Sequence, residues 1–335
     1  MRVLYLGQYN FGSTSAMRAG TLKNILDPKE FSVIDTMVPF QKIGRLFRSL
    51  GFRYHRGPLI TNVNKYIINQ LHSAYDIIWV DKATFLTPET TEILRKSTPI
   101  MVHYTPDCAL FGNRSHLFEK SMHLYDWLIT TKSFERDYYP EDKLICVTQA
   151  YDKNTHQPAI EFNQKTREVS FIGLYEKSRA EVMDVLIEAG IKLTLGGMKW
   201  NKYRNLHHPN VEYLGEKVFG SEYVTIISSS LFSLGLLSKK FPELHTTRTF
   251  EIPACGTALI TERNAETASF FTDNEVIFYQ DIKEIPEKIL PFMNHQNDLQ
   301  TLTQRGYEKV VNGGYDYESI LRKVLTRILP ERLES

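Results

Sequence analysis

Short apolar runs rich in β-branched residues alternate along the chain with longer stretches whose apolar positions recur at helical spacing. "RVLYLG" (2–7), "FSVIDT" (31–36), "YDIIWVD" (75–81), "PIMVHY" (99–104), "DWLITT" (126–131) and "KLICVT" (143–148) read as strands. The intervals between them are long enough for helices, and the first carries Met17, Leu22, Ile25 and Leu26 as an amphipathic stripe. A polar, aperiodic stretch follows at 150–168, with Pro158 inside it, and reads as an interdomain linker. The rhythm then restarts with "VSFIG" (169–173), a helix through Val182, Val185 and Leu186 that stops at Gly190, and "IKLTLGG" (191–197). "VEYL" (211–214), "LFSLGLL" (231–237), "TALIT" (257–261) and "EVIFY" (275–279) continue it, and the chain from Ile282 to about Leu329 reads as helical.

This alternation predicts α/β architecture, with parallel sheets covered by helices on both faces. A length of 335 residues suits two domains. The expected division is a Rossmann-like domain over 1–155 and a second over 165–315, with a helix at 316–330 packing back on the first. Ligands of such sheets bind at the carboxyl ends of the strands, so two domains facing each other across a cleft carry binding loops on both walls. Composition adds little: 42% apolar and 24% charged residues are those of an ordinary globular chain. Forty Lys and Arg nearly cancel 39 Asp and Glu, which removes any overall field toward nucleic acid. Three scattered cysteines, a start without a signal-peptide pattern and no long apolar run fit a reduced, cytoplasmic protein, peripheral at most to the inner face of a membrane.

The chemistry concentrates in "HTTRTFEIPACG" (245–256). Phe250, Ile252 and Ala254 predict a core helix stopped by Gly256. Yet the same stretch carries Thr247, Arg248 and Glu251, and Glu243 precedes it at E-x7-E spacing. Carboxylates accept paired hydroxyls such as a ribose diol, and a helix N-terminus offers unpaired N–H groups to a diphosphate. "FIGLYEKSR" (171–179) ends a strand at Gly173 and opens a helix with Lys177 and Arg179, cations suited to phosphate oxygens. After the first strand, Gly12 and Ser13 either face phosphates or cap a helix. His103 and Asp107, in "VHYTPDC", end another strand and are candidates for proton movement and for orienting an acceptor. Residues 40–57 interleave five Lys and Arg with aromatic and aliphatic side chains, which suits either an anionic membrane surface or a helix packed on the sheet. There is no G-x-G, D-x-D, H-E-x-x-H, paired C-x-x-C or P-loop, and nothing in the sequence calls for a metal.

"TTRTFEIPACGTALITERNAETASFF" resembles the C-terminal signature of the glycosyltransferases grouped with spore maturation protein CgeB, relatives of glycosyltransferase family 4. "VSFIGLYEKSRAEVMDVLIEAGIKLTLGG" is similar to the opening of their donor domain, "YDWLITTKSF" and "TQAYDKNTHQP" to the end of their first domain and its linker, and "LGQYNFGSTSAMRAGTL" to their first loop. The resemblance implies a GT-B fold and transfer of a sugar from a nucleoside diphosphate, UDP or GDP, to a glycan, lipid-linked or small-molecule hydroxyl acceptor. It implies that Glu251 grips the ribose, that Glu243 grips the sugar hydroxyls, and that a histidine such as His103 lines the cleft. Two other readings stay open: a nucleotide-sugar epimerase on the same fold, and an inactive assembly or coat protein.

Overall fold

A computed structural model describes residues 1–72, 74–112 and 114–330. The chain divides into two compact units, Met1–Thr148 with Ile320–Ser335, and Gln149–Ser319. The first unit thus ends a few residues before the expected 155, and the stretch read as a linker belongs to the second unit. Tyr151 pairs with Asp316 there, and Ala159 N–H donates to Ser228 Oγ at 3.1 Å.

Unit 1 contains β1 (Arg2–Gly7), α1 (Thr14–Leu26), β2 (Glu30–Asp35), α2 (Arg45–Tyr54), α3 (Pro58–Asn69), β3 (Ile77–Asp81) and α4 (Pro88–Lys96). It continues with β4 (Ile100–Thr105), α5 (His116–Ser121), β5 (Trp127–Thr130) and β6 (Leu144–Cys146). All six strands run parallel in the order β2-β1-β3-β4-β5-β6. Strand side chains alternate between faces, and both faces of the central strands β1 and β3 are covered, which is why those runs are almost continuously apolar. In β1, Val3 and Tyr5 enter one core and Leu4 and Leu6 the other.

Unit 2 contains β7 (Arg167–Ile172), α6 (Lys177–Glu188), β8 (Leu193–Gly196), β9 (Val211–Tyr213), α7 (Ser221–Ser228), β10 (Ser230–Leu234) and α8 (Arg248–Ala254). Then come β11 (Ala258–Glu262), α9 (Thr267–Phe270), β12 (Ile277–Tyr279), α10 (Glu284–Asn294), α11 (Gln296–Asn312) and α12 (Tyr317–Ile328). Its sheet is also parallel, in the order β12-β11-β10-β7-β8-β9. Strand order reverses between β7 and β10, the position where open sheets of this kind leave a crevice for ligand. In unit 1 the corresponding reversal lies between β1 and β3.

Helix α12 begins in unit 2, where Tyr317 N–H donates to the Tyr151 carbonyl at 2.9 Å. Its later residues Leu321, Val324, Leu325 and Ile328 pack in the unit 1 core with Val3, Trp79 and Val102. Among the described residues, no helix is long and apolar enough to cross a membrane.

Candidate functional site

Two arginines from different helices meet at one carbonyl where the unit 2 sheet reverses. Arg179, in the first turn of α6, donates through Nη1 to the Leu174 carbonyl (2.9 Å) and through Nη2 to the Leu236 carbonyl (3.5 Å). Arg248 opens α8 and donates through Nη2 to the same Leu236 carbonyl (3.4 Å). Each guanidinium carbon lies 5.7 Å from the centre of the Phe171 ring. The Nε atoms of both arginines, and the hydroxyl of Thr246 two residues before Arg248, are buried without a hydrogen-bond partner among the described residues. Buried donors are normally paired, so these three leave room for an acceptor that the chain does not supply.

The electrostatics point the same way. Burial, and then the charge of Arg248, pull the Arg179 pKa down to about 10, while Glu176 and Glu243 act in the opposite direction. Glu176 is itself buried, 3.6 Å from Arg179, and accepts the Ser238 hydroxyl on both carboxylate oxygens at 3.1 and 3.0 Å. Glu243 is half-buried and accepts the Ser238 N–H at 2.9 Å. Ser238 therefore ties together the two carboxylates that face the cationic pair. A cavity of about 240 Å³ lies beside Arg179, lined also by Val182, Leu236, Leu237 and Tyr279.

Glu251 is 6% exposed in the first turn of α8. Tyr223 of α7 donates its hydroxyl to Oε2 at 2.9 Å, and His156 Nε2 lies 3.7 Å from Oε1. The Asp152 N–H donates to the other His156 ring nitrogen at 3.1 Å. A carboxylate has about four acceptor positions, so these contacts fix Glu251 and leave capacity for further hydroxyls. The helix is otherwise as expected: Phe250, Ile252, Ala254 and Cys255 are fully buried.

The remaining unit 2 candidates fall less centrally. Gly173 uses its own groups inside the unit, its N–H donating to Gly196 (2.9 Å) and its carbonyl accepting the Trp200 indole N–H (2.8 Å). Its neighbour Gly197 has φ +118°, and a Cβ there would stand 2.2 Å from the Gly173 carbonyl oxygen. These glycines serve the close approach of two loops, and Gly173 has no free N–H for phosphate. Lys177 is exposed at the start of α6, and Thr247 is half-buried ahead of α8 without a side-chain cap bond.

In unit 1 the expectations change more. Ser13 caps α1, its hydroxyl accepting the Ala16 N–H at 3.2 Å, with Gly12 in the loop before it. His103 does not line an open wall: it is 2% exposed, stacked on Phe118 at 4.2 Å and edge-on to Tyr125 at 5.1 Å. Its Nε2 donates to the Lys82 carbonyl at 3.1 Å, and we assign it no contact with substrate. Asp107, expected to orient an acceptor, forms an ion pair with Lys82. Burial opposes its ionisation, but Lys82, helped by Lys132 and Arg18, holds its carboxyl below the usual range. Lys82 and Ala83 both have positive φ, 62° and 33°, at the carboxyl end of β3, a costly conformation of the kind that gathers at functional sites.

Burial lowers the His103 pKa to about 4, so the ring is neutral in the folded state. The unfolded chain takes up that proton near pH 6.5. The stabilisation is therefore complete above pH 6.5 and is lost as pH falls toward 4, by about 3 kcal/mol. Denaturant melts of the wild type and His103→Gln across this window should show a shallower pH slope in the variant. Equal slopes would refute the assignment.

Residues 179–326, less than half of the chain, match the family model described as glycosyl transferase-like. Among curated proteins none matches the chain in sequence. Solved structures share the whole fold. A sucrose-phosphate synthase from Thermosynechococcus elongatus superposes with TM-score 0.70 at 12% identity, over 100% of both chains. A glycosyltransferase from Rickettsia africae gives 0.65 at 13%, and Anabaena HepE in complex with UDP-glucose 0.63 at 13%, each over 98% of this chain and 99% of the other. The fold is that of the GT-B glycosyltransferases.

Of the residues gathered in these two clusters, the sequence singled out Arg179, Arg248, Glu243 and Glu251 and did not single out Glu176, Ser238, Tyr223 and His156. Glu176 carried a legible signal in its position three residues before Arg179. Tyr223 carried none.

Proposed function

We propose that the protein is a CgeB-type glycosyltransferase, related to family 4, that moves a hexose-type sugar from a nucleoside diphosphate to a hydroxyl acceptor. The observation that carries this reading is the pair of guanidiniums sharing the Leu236 carbonyl where the unit 2 strand order reverses. Two adjacent cations with unpaired Nε donors fit a diphosphate, which brings about two charges and many acceptor oxygens. The same groups stabilise negative charge as it builds on the leaving diphosphate, so that role falls to side chains in this reading. Glu251, fixed by Tyr223 and His156, accepts the ribose diol. Glu243, fixed by Ser238, faces the sugar hydroxyls. The complexes of HepE with UDP and with UDP-glucose support a uridine nucleotide over a guanosine one. The acceptor is a glycan, a lipid-linked glycan or a small molecule, and the buried free thiols of Cys108 and Cys255 support a cytoplasmic setting.

The reading is tested by thermal shift with UDP, GDP, ADP and dTDP and their sugars. A ligand that binds only the folded state stabilises it, by about 2.7 kcal/mol at a hundred times its Kd. A shift with UDP is expected. Because Glu251 is buried and bonded, Glu251→Gln is the cleaner probe: it keeps an acceptor for Tyr223 and removes the charge. Its own melting point should stay within a few degrees of wild type while the UDP shift falls at least tenfold in apparent affinity. A full UDP shift in that variant would move the diol elsewhere, and isomerisation of the sugar with the nucleotide still attached would replace transfer by epimerisation.

A further inference from the structure

Helix α2 reaches the core that its neighbours share through Phe52, whose ring meets Phe40 and Phe85 at 5.3 and 5.0 Å. Of its ten residues only Gly51 is buried, with Leu59 so close that a Cβ on the glycine would lie 2.6 Å away. Leu46, Phe47, Leu50 and Tyr54 form one arc of the helix and are 67%, 51%, 42% and 52% exposed. The expected basic amphipathic segment 40–57 is thereby narrowed, since Phe40 is buried against Phe85.

Charge is equally lopsided. Residues 36–75 contain six Lys or Arg and no Asp or Glu, in a chain whose net charge is only +1. Arg45, Arg48, Arg53 and Arg56 make no ion pair with any described residue. Between α2 and α5 lies a groove of about 820 Å³. Phe47, Leu50 and Tyr54 line one side, and Arg53 and Arg56 bring cations to it. His55 and His116 face each other there with ring centroids 5.7 Å apart. Among the described lining residues the one carboxylate, Glu119, is already gripped by Nε and Nη2 of Arg114, at 2.5 and 2.9 Å.

We propose that this groove seats the phosphate headgroup of an anionic lipid, with the apolar arc of α2 lying in the bilayer interface, and so docks the chain on a membrane. Basic residues are drawn to anionic leaflets, and an apolar helix face with aromatic side chains enters the headgroup boundary. A soluble anion would use the cations and leave four large apolar side chains without a role. The proposal stands independently of glycosyl transfer.

The test is flotation of the full chain with vesicles of phosphatidylcholine alone and of phosphatidylcholine mixed with phosphatidylglycerol. Binding only to the mixture, weakened by salt, is expected. Arg53→Ser with Arg56→Ser should weaken it about thirtyfold, at roughly one power of five per cation removed. Phe47→Ser with Leu50→Ser should weaken it at least tenfold. All four positions are exposed, and both double variants should keep the wild-type melt and its nucleotide shift, which separates loss of docking from unfolding and from failure of the donor site. Equal binding to both vesicles, or variants that bind as wild type, overturns the proposal. So does a melting shift with inorganic phosphate but no flotation, which would make the groove a soluble-anion site, or an absence of flotation with any vesicle.

Discussion

Arg248→Met is expected to lower kcat/KM for the nucleotide sugar by about a hundredfold to a thousandfold, the range seen when one donor to developing negative charge is removed. The same substitution should leave the melting point of the free protein unchanged or raise it. Arg248 and Arg179 repel each other at one shared carbonyl, and removing one relieves the other. A group retained for folding would show the reverse pattern. Nucleotide-sugar turnover and thermal melts on the same preparation decide the matter: a melting point several degrees lower with turnover intact would reduce Arg248 to a structural residue. Stability gained where activity is lost is a common signature of binding sites.

Asp81→Ala should destabilise unit 1 by about 3–5 kcal/mol, because it strands a buried cation. Arg18 on α1 and Asp81 at the end of β3 form a two-pronged pair, Nε to Oδ2 at 2.8 Å and Nη2 to Oδ1 at 2.9 Å, with both side chains 2% exposed. Tyr104 lies beneath the guanidinium, 4.9 Å from its carbon. For a unit of this size the melting point should fall by about ten degrees. The double change Arg18→Met with Asp81→Leu should recover most of the loss, since neither charge is then left alone. If the double variant melts as low as the single, the pair does more than neutralise itself.

The twelve strands were legible as short apolar runs, most plainly the central ones such as β3, where both faces are buried and no polar alternation remains. The arginine pair announced itself in the same way: cations placed after Gly173 and before a core helix had few structural reasons to be there. The partners that fix the carboxylates were not legible, since Tyr223 stands 28 positions from Glu251 and Ser238 62 from Glu176. Only the fold brings such pairs together. His103 misled for a different reason. It sits near a strand end, where ligands bind, but its parity along β4 turns it with Met101 away from Val102 and Tyr104. With both faces covered, no pattern in the sequence says which direction is enclosed, and Phe118 and Tyr125 enclose this one. Arg18 hid by similar means: a charged residue in an amphipathic helix is expected outward, and its partner Asp81 closes a wholly apolar strand.

The late return of the chain in α12 has a consequence for synthesis. Domains commonly fold in order as they leave the ribosome, but the first unit here cannot finish when residue 148 emerges. Leu321, Val324, Leu325 and Ile328, which close its core over Val3, Trp79 and Val102, are translated after the whole of the second unit. The half that is made first is completed last, and until then an uncovered apolar sheet face must be kept from aggregating.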